Sequence, residues 1–144
     1  MSQATWVKNL LIFGLFSFFL MHFQSIAEED GEEKPEEVPL MYFEVDPNIL
    51  TFYQGTGRKL GYVVVQVNIV VRGQDNYDLV ELHLPLIQDR LIDFFNRQDK
   101  SVIQPFEERE KLRVGAKEAV SAVLKEETGK DVVENLLFTN YVFQ

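Results

Sequence analysis

No cysteine occurs in the 144 residues, so disulfides, thiolate metal sites, thiol nucleophiles and redox switching are all excluded. Histidine is nearly absent: His22 and His83 are the only two. A lone His at a helix entry, without converging ligands, is a structural or surface residue. No run supplies the four oxygen ligands that a calcium loop demands. No Gly-x-Ser-x-Gly elbow is present, and Ser101 and Ser121 have no base near them in sequence. Gly55-Thr56-Gly57 lacks the Lys-Ser or Lys-Thr of a phosphate cradle and opens no helix, so it reads as a turn. Positive charge is scarce: 14 Lys and Arg face 23 Asp and Glu, a net charge of −9. That balance speaks against nucleic acid as a partner, because such binding rests on neutralising phosphates. Long apolar runs are scarce too. Leu10–Met21, interrupted only by Ser17, is well short of the about 20 residues that span a bilayer.

What stands at the N-terminus is nonetheless the pattern of an export signal. Lys8 is the only charge before Glu28, the apolar run follows, and Ser25-Ile26-Ala27 places small residues two apart before the first acids. Ser25 and Ala27 fit the third and first positions before a signal-peptidase cut. The short run favours cleavage after Ala27, with a retained membrane anchor over residues 1–27 as the alternative. Residues 28–39 follow as an acidic linker. Within it, Glu28–Glu37 holds seven acids and one Lys, has no apolar side chain and carries Pro35, the composition of a disordered, self-repelling tether.

Residues 40–144 form one small domain. Met41–Val45 and Ile49–Tyr53, broken by Asp46-Pro47-Asn48, read as a single bent edge strand. Gly55-Thr56-Gly57 turns the chain into Leu60–Arg72. There Val63, Val65, Val67, Ile69 and Val71 alternate with Gln66, Asn68 and Arg72, giving one buried and one largely wet face. Leu84, Ile87, Leu91, Phe94 and Phe95 recur at helical spacing, with Pro85 suited to a first turn. Leu79 and Leu82 allow a longer, kinked helix from about Asp78. Ser101-Val102-Ile103 reads as a short extra strand. A second helix runs from about Pro105 to Thr128 on the stripe Leu112, Ala116, Ala119, Val120, Val123 and Leu124. A Glu107–Lys111 pair supports it and Gly129 caps it. Val132-Val133 and Leu136–Phe143 close the chain as strand. The order defines an α+β fold, an antiparallel sheet with two helices packed on one face.

Carboxylate pairs exist at Asp89 with Asp93 and at Glu107 with Glu110, each with Arg or Lys alongside. They read as solvated helix faces. The sharper reading makes Asp89, Arg90, Asp93 and Arg97 a charged docking face for a like subunit or another protein.

Several blocks, in order, carry a resemblance. They are Tyr42-Phe43-Glu44-Val45-Asp46-Pro47, the Val-rich strand ending at Arg72, Leu84-Pro85-Leu86-Ile87-Gln88-Asp89-Arg90-Leu91-Ile92, Glu110-Lys111-Leu112, and the terminal Leu137-Phe138-Thr139-Asn140-Tyr141-Val142-Phe143-Gln144. Over about Leu40 to Gln144 the chain resembles the FliL family of flagellar basal-body proteins. The resemblance implies a periplasmic domain similar to the stomatin-like (SPFH) fold. It also implies assembly with like subunits around the ion-driven MotA/MotB stator at the inner membrane, in support of torque, without catalysis or a cofactor. Family members carry a full transmembrane anchor; the short run ending in Ser25-Ile26-Ala27 departs from that and suits a signal-bearing paralogue. The competing expectation is a secreted small-ligand or lipid-binding α+β module, which requires an apolar pocket between sheet and helices. A periplasmic enzyme is the third reading, and the scarcity of His and absence of Cys speak against it.

Overall fold

The computed structural model describes residues 37–144 apart from 56 and 58. The export segment with Ser25 and Ala27, and most of the acidic linker, lie outside the described residues.

The sheet is organised around its longest strand. β1 is Leu40–Glu44, β2 Ile49–Gln54, β3 Leu60–Arg72 and β4 Val133–Phe143. The alternation in β3 sorts its side chains as the sequence predicts: Val63, Val65, Val67, Ile69 and Val71 are fully buried. All pairings are antiparallel. β1 pairs with the second half of β3 (Leu40 opposite Arg72, Glu44 opposite Asn68) and β2 with the first half (Ile49 opposite Val65, Gln54 opposite Leu60). β4 runs beside β3 from Val71 to Val63. A strand has only two hydrogen-bonding edges, so β1 and β2 must lie end to end along one edge of β3, with β4 on the other. They act as one edge strand interrupted at Asp46-Pro47-Asn48. The Asp46–Pro47 peptide is cis, and the Val45 N–H still donates to the Val67 carbonyl at 2.9 Å. Val133 and Leu136–Phe143 merge into the single strand β4, with Val132 just before it, and the register shifts opposite Gln66/Val67 and Val70/Val71. The shifts let an extra residue be absorbed without turning the inner side chains outward.

After β3 come α1 (Gln74–Leu82), α2 (Leu84–Asn96), α3 (Lys100–Ile103), a 3₁₀ turn (Phe106–Glu108) and α4 (Arg109–Thr128). Two helices rather than one kinked helix occupy residues 74–96. His83 separates them, with its N–H and Nδ1 both directed at the Leu79 carbonyl, at 3.2 and 2.8 Å. Pro85 sits in the first turn of α2, where no N–H is required. Leu82 does not extend the inner stripe: it is 73% exposed, and Val80 is the buried residue of α1.

Ser101-Val102-Ile103 is helical, not strand. The Val102 and Ile103 N–H groups both donate to the Asp99 carbonyl, at 2.9 and 3.0 Å, so the segment satisfies its backbone locally and delivers Ile103 to the core. Glu107 does not pair with Lys111. Glu107 and Glu108 lie in the 3₁₀ turn, where neighbours fall at a spacing of three, and Lys111 binds Glu108 at 2.9 Å instead. Gly129 adopts φ 71° and returns its N–H to Lys125 at 2.9 Å, the left-handed cap expected of glycine.

One core joins these elements. The inner side chains of all four strands meet Val80, Ile87, Leu91, Phe95, Leu112, Ala116, Val120 and Leu124 in a single cluster. The helices therefore cover one face of a four-stranded antiparallel sheet, an α+β arrangement.

Candidate functional site

Asp89, Arg90 and Asp93 of α2, with Arg97 at its C-cap, lie away from the core-facing Ile87, Leu91 and Phe95. Spacings of four and eight place Asp89, Asp93 and Arg97 along one stripe, with Arg90 beside it. Asp93 and Arg97 are already engaged with each other. Arg97 Nε donates to Asp93 Oδ1 at 3.0 Å and Nη2 lies 2.9 Å from Oδ2, a two-pronged bond within the helix. Asp89 and Arg90 have no ion-pair partner among the described residues. The stripe thus offers one self-neutralised pair and two uncommitted charges, with half-exposed Ile92 between them.

The uncovered face of the sheet carries a second candidate surface. It is less wet than the alternation in β3 suggests. Leu50, Phe52, Leu60, Tyr62 and Val142 all project from it, and Leu60 is 70% exposed. The register brings them together: Leu50 lies opposite Val64, which lies opposite Val142, and Phe52 lies opposite Tyr62. Facing pairs sit about 5 Å apart, so these side chains form one continuous apolar patch at the end of the sheet where β2 turns into β3. Mid-sheet the face becomes polar, with Gln66 donating to Glu44 and the Thr139 hydroxyl reaching Gln66 O and Asn68 Oδ1. At the far end Arg72 binds Glu134 at 3.0 Å. Sequence reading missed the patch because it weighed Gln66, Asn68 and Arg72 and passed over Leu50, Phe52 and Tyr62. Those alternate just as strictly with Ile49, Thr51, Tyr53 and Val63.

A third grouping surrounds the start of α4. The Arg109 guanidinium lies between the rings of Phe106 and Tyr141, 5.1 and 4.7 Å from their centroids, a cation–π stack. The Tyr141 hydroxyl donates to the Ile103 carbonyl at 2.9 Å. Burial pushes its pKa up to about 12, against a smaller opposing pull from Arg109. Next on α4, Arg113 ties the helix to β4 through Asn135 Oδ1 and the Leu136 carbonyl, at 2.6 and 2.8 Å. Its hydrogen bonds to Glu110 hold that exposed carboxyl below its ordinary range. These contacts join helix to sheet.

No three His, Cys, Asp or Glu side chains gather as a metal site among the described residues. His83 serves the joint between α1 and α2. Among the same residues no helix is long and apolar enough to cross a membrane. Fully buried Phe95, Ile87, Leu91 and Leu136 fill the space between sheet and helices. A hollow lined by Tyr53, Lys59, Lys100, Gln104 and Gln144 lies instead at the hairpin end.

What this architecture presents to its surroundings is therefore surface: a filled α+β core, a charged helix stripe and an open, partly apolar sheet. The family model for flagellar basal body-associated protein FliL matches residues 42–144, which is the whole of the sheet and helices apart from the first two residues of β1. The chain belongs to the FliL family, and with it to the flagellum, its basal body and motility. No curated protein matches the chain.

Proposed function

We propose that this protein is a non-enzymatic periplasmic component of the flagellar basal body that associates with the ion-driven MotA/MotB-type stator and supports torque. The observation that carries the reading is the family match over residues 42–144. In this reading the domain is similar to the stomatin-like (SPFH) fold and assembles with like subunits beside the stator. Residues 1–27 deliver it across the inner membrane as a cleaved signal or hold it there as an anchor, and residues 28–39 tether it. The stripe of Asp89, Arg90, Asp93 and Arg97 is a contact for the stator or a neighbouring subunit. Its support is the two charges that have no ion-pair partner among the described residues, since steering and register between proteins come from such groups.

The experiment is deletion of the gene in its host, scored for swimming in liquid and in viscous medium. Reduced motility under load, restored by the intact gene, is the expected result. Undiminished motility in a strain that also lacks any other family member overturns the reading. Mass spectrometry of the membrane fraction separates the two fates of the N-terminus: an intact Met1 or Ser2 excludes cleavage after Ala27.

A further inference from the structure

The hairpin end of the open sheet face combines apolar exposure with an unusual charge pattern. From Pro47 to Gln74 the chain has no acid, and from Asn135 to Gln144 it again has none, in a protein of net charge −9. The bases in these stretches are Arg58, Lys59 and Arg72. Arg72 lies at the opposite end of β3 and is paired with Glu134. That leaves Lys59, exposed beside Leu60, with its sequence neighbour Arg58. Lys100 lines the same hollow as Lys59. An acid on an adjoining element, Asp99, is bridged through its backbone to Gln54 at the β2 edge.

The occupant of this surface must accept apolar and aromatic side chains and supply negative charge. A second copy does not meet both demands. Stacking two such ends on each other gathers two copies of Lys59, while the acids of this face, Glu44 and Glu134, lie toward mid-sheet and the far end. The five exposed apolar side chains also amount to a few hundred Å², the size of a functional patch but short of the about 800 Å² per partner of a stable interface. An anionic bilayer supplies both: hydrocarbon for Leu60 and Phe52, an interface suited to the amphipathic ring of Tyr62, and phosphate beside the bases. Either signal alone gives marginal binding, whereas the two together dock a protein reversibly.

We propose that the hairpin end of the open sheet face, with Leu60, Phe52, Leu50, Tyr62 and Lys59, docks shallowly onto an anionic lipid surface. This inference is independent of the stator reading, and a vesicle assay with no flagellar protein tests it alone. The absence of cysteine permits a single label. The full chain carrying Leu60→Cys, coupled to an environment-sensitive fluorophore, is mixed with vesicles of phosphatidylethanolamine and phosphatidylglycerol containing brominated acyl chains. The same label at Glu118→Cys, exposed on α4, reports mere proximity. Leu60 is exposed, so an unchanged melting curve shows that its replacement spares the fold.

The expected result is a blue shift and quenching at position 60 and neither at position 118. The Lys59→Gln variant should lower the ratio of docked to undocked domain about fivefold, the contribution of one base near an anionic surface. Equal quenching at both positions, or none at position 60, overturns the proposal. So does equal quenching on pure phosphatidylcholine, which removes the charge component. A blue shift that grows with protein concentration in the absence of vesicles assigns the patch to a second copy and overturns it too. Photocrosslinking from position 60 in cells to protein rather than lipid has the same consequence, with a protein partner as the occupant.

Discussion

Thr51 is a buried polar side chain in the core-facing row of β2, and its hydroxyl donates to Asn96 Oδ1 at 2.7 Å. The bond fastens the end of α2 to the sheet edge. A buried hydroxyl without a partner is costly, whereas a satisfied one contributes modestly. Thr51→Val keeps the shape and removes the donor. Asn96 is exposed and can turn to water, so the expected loss is small, about 0.5–1 kcal/mol in urea unfolding.

Tyr141 makes a second test at this scale. Its folded pKa of about 12 lies above the ordinary value of 10 because burial disfavours the phenolate. The folded state therefore holds this proton more tightly than the unfolded chain. The resulting contribution to stability is whole below pH 10 and is lost as pH rises through about 12. Denaturant unfolding between pH 9 and pH 12 should show the fall, and Tyr141→Phe should flatten it; an equal slope in the variant refutes the assignment. Neither Thr51's partner nor the burial of Tyr141 is legible in sequence. Both depend on residues about 40 positions away, Asn96 and Ile103.

At the scale of the element, the segments whose periodicity is strict fold as their pattern dictates. β3 alternates strictly from Val63 to Ile69 within its 13 residues, and α4 carries its inner stripe to a glycine cap. Period-two and period-3.6 patterns each admit one way of hiding the apolar side chains. Short segments behave otherwise. Lys100–Ile103 has the branched residues of a strand, yet a strand requires a free edge at the right place, and a helical turn from Asp99 satisfies the same N–H groups locally. The α1–α2 joint likewise depends on His83 bonding back to Leu79, a contact invisible to a stripe of leucines.

Gly61 shows how a hairpin can depend on one missing side chain. It faces Tyr53 in the register, and a Cβ there would run into the Tyr53 ring. That ring is buried, and its hydroxyl accepts a hydrogen bond from Gln104 Nε2 at 2.9 Å. Gly61→Val should displace it and destabilise the domain by about 1–3 kcal/mol, the usual cost of overpacking, read as a lowered melting temperature. Undiminished stability would mean that the Tyr53 ring can move without loss.

For the whole molecule, the two exposed surfaces predict separable phenotypes. Asp89→Lys with Arg90→Glu changes charges on the outer side of α2 and leaves Ile87, Leu91 and Phe95 in the core. Surface changes of this kind stay within about 0.5 kcal/mol, so the melting curve should not move while motility under load falls. Preserved motility at preserved expression removes the stripe from the contact. Phe95, Ile87 and Leu91 are fully buried between sheet and helices, the space in which a ligand-binding module requires an apolar pocket. The order of blocks from Tyr42 to Gln144 was enough to reveal the family, because those blocks are contiguous in the chain and need no folding to be read. The α+β class was equally legible, since periodicity and turn residues are local properties. Which face of the sheet the helices cover, and that Leu50, Phe52, Leu60, Tyr62 and Val142 are left together on the other, was decided only by tertiary structure. Each of those side chains alternates correctly in its own strand. Whether an alternating side chain ends in the core or in an exposed patch depends on the register between strands and on what packs above them.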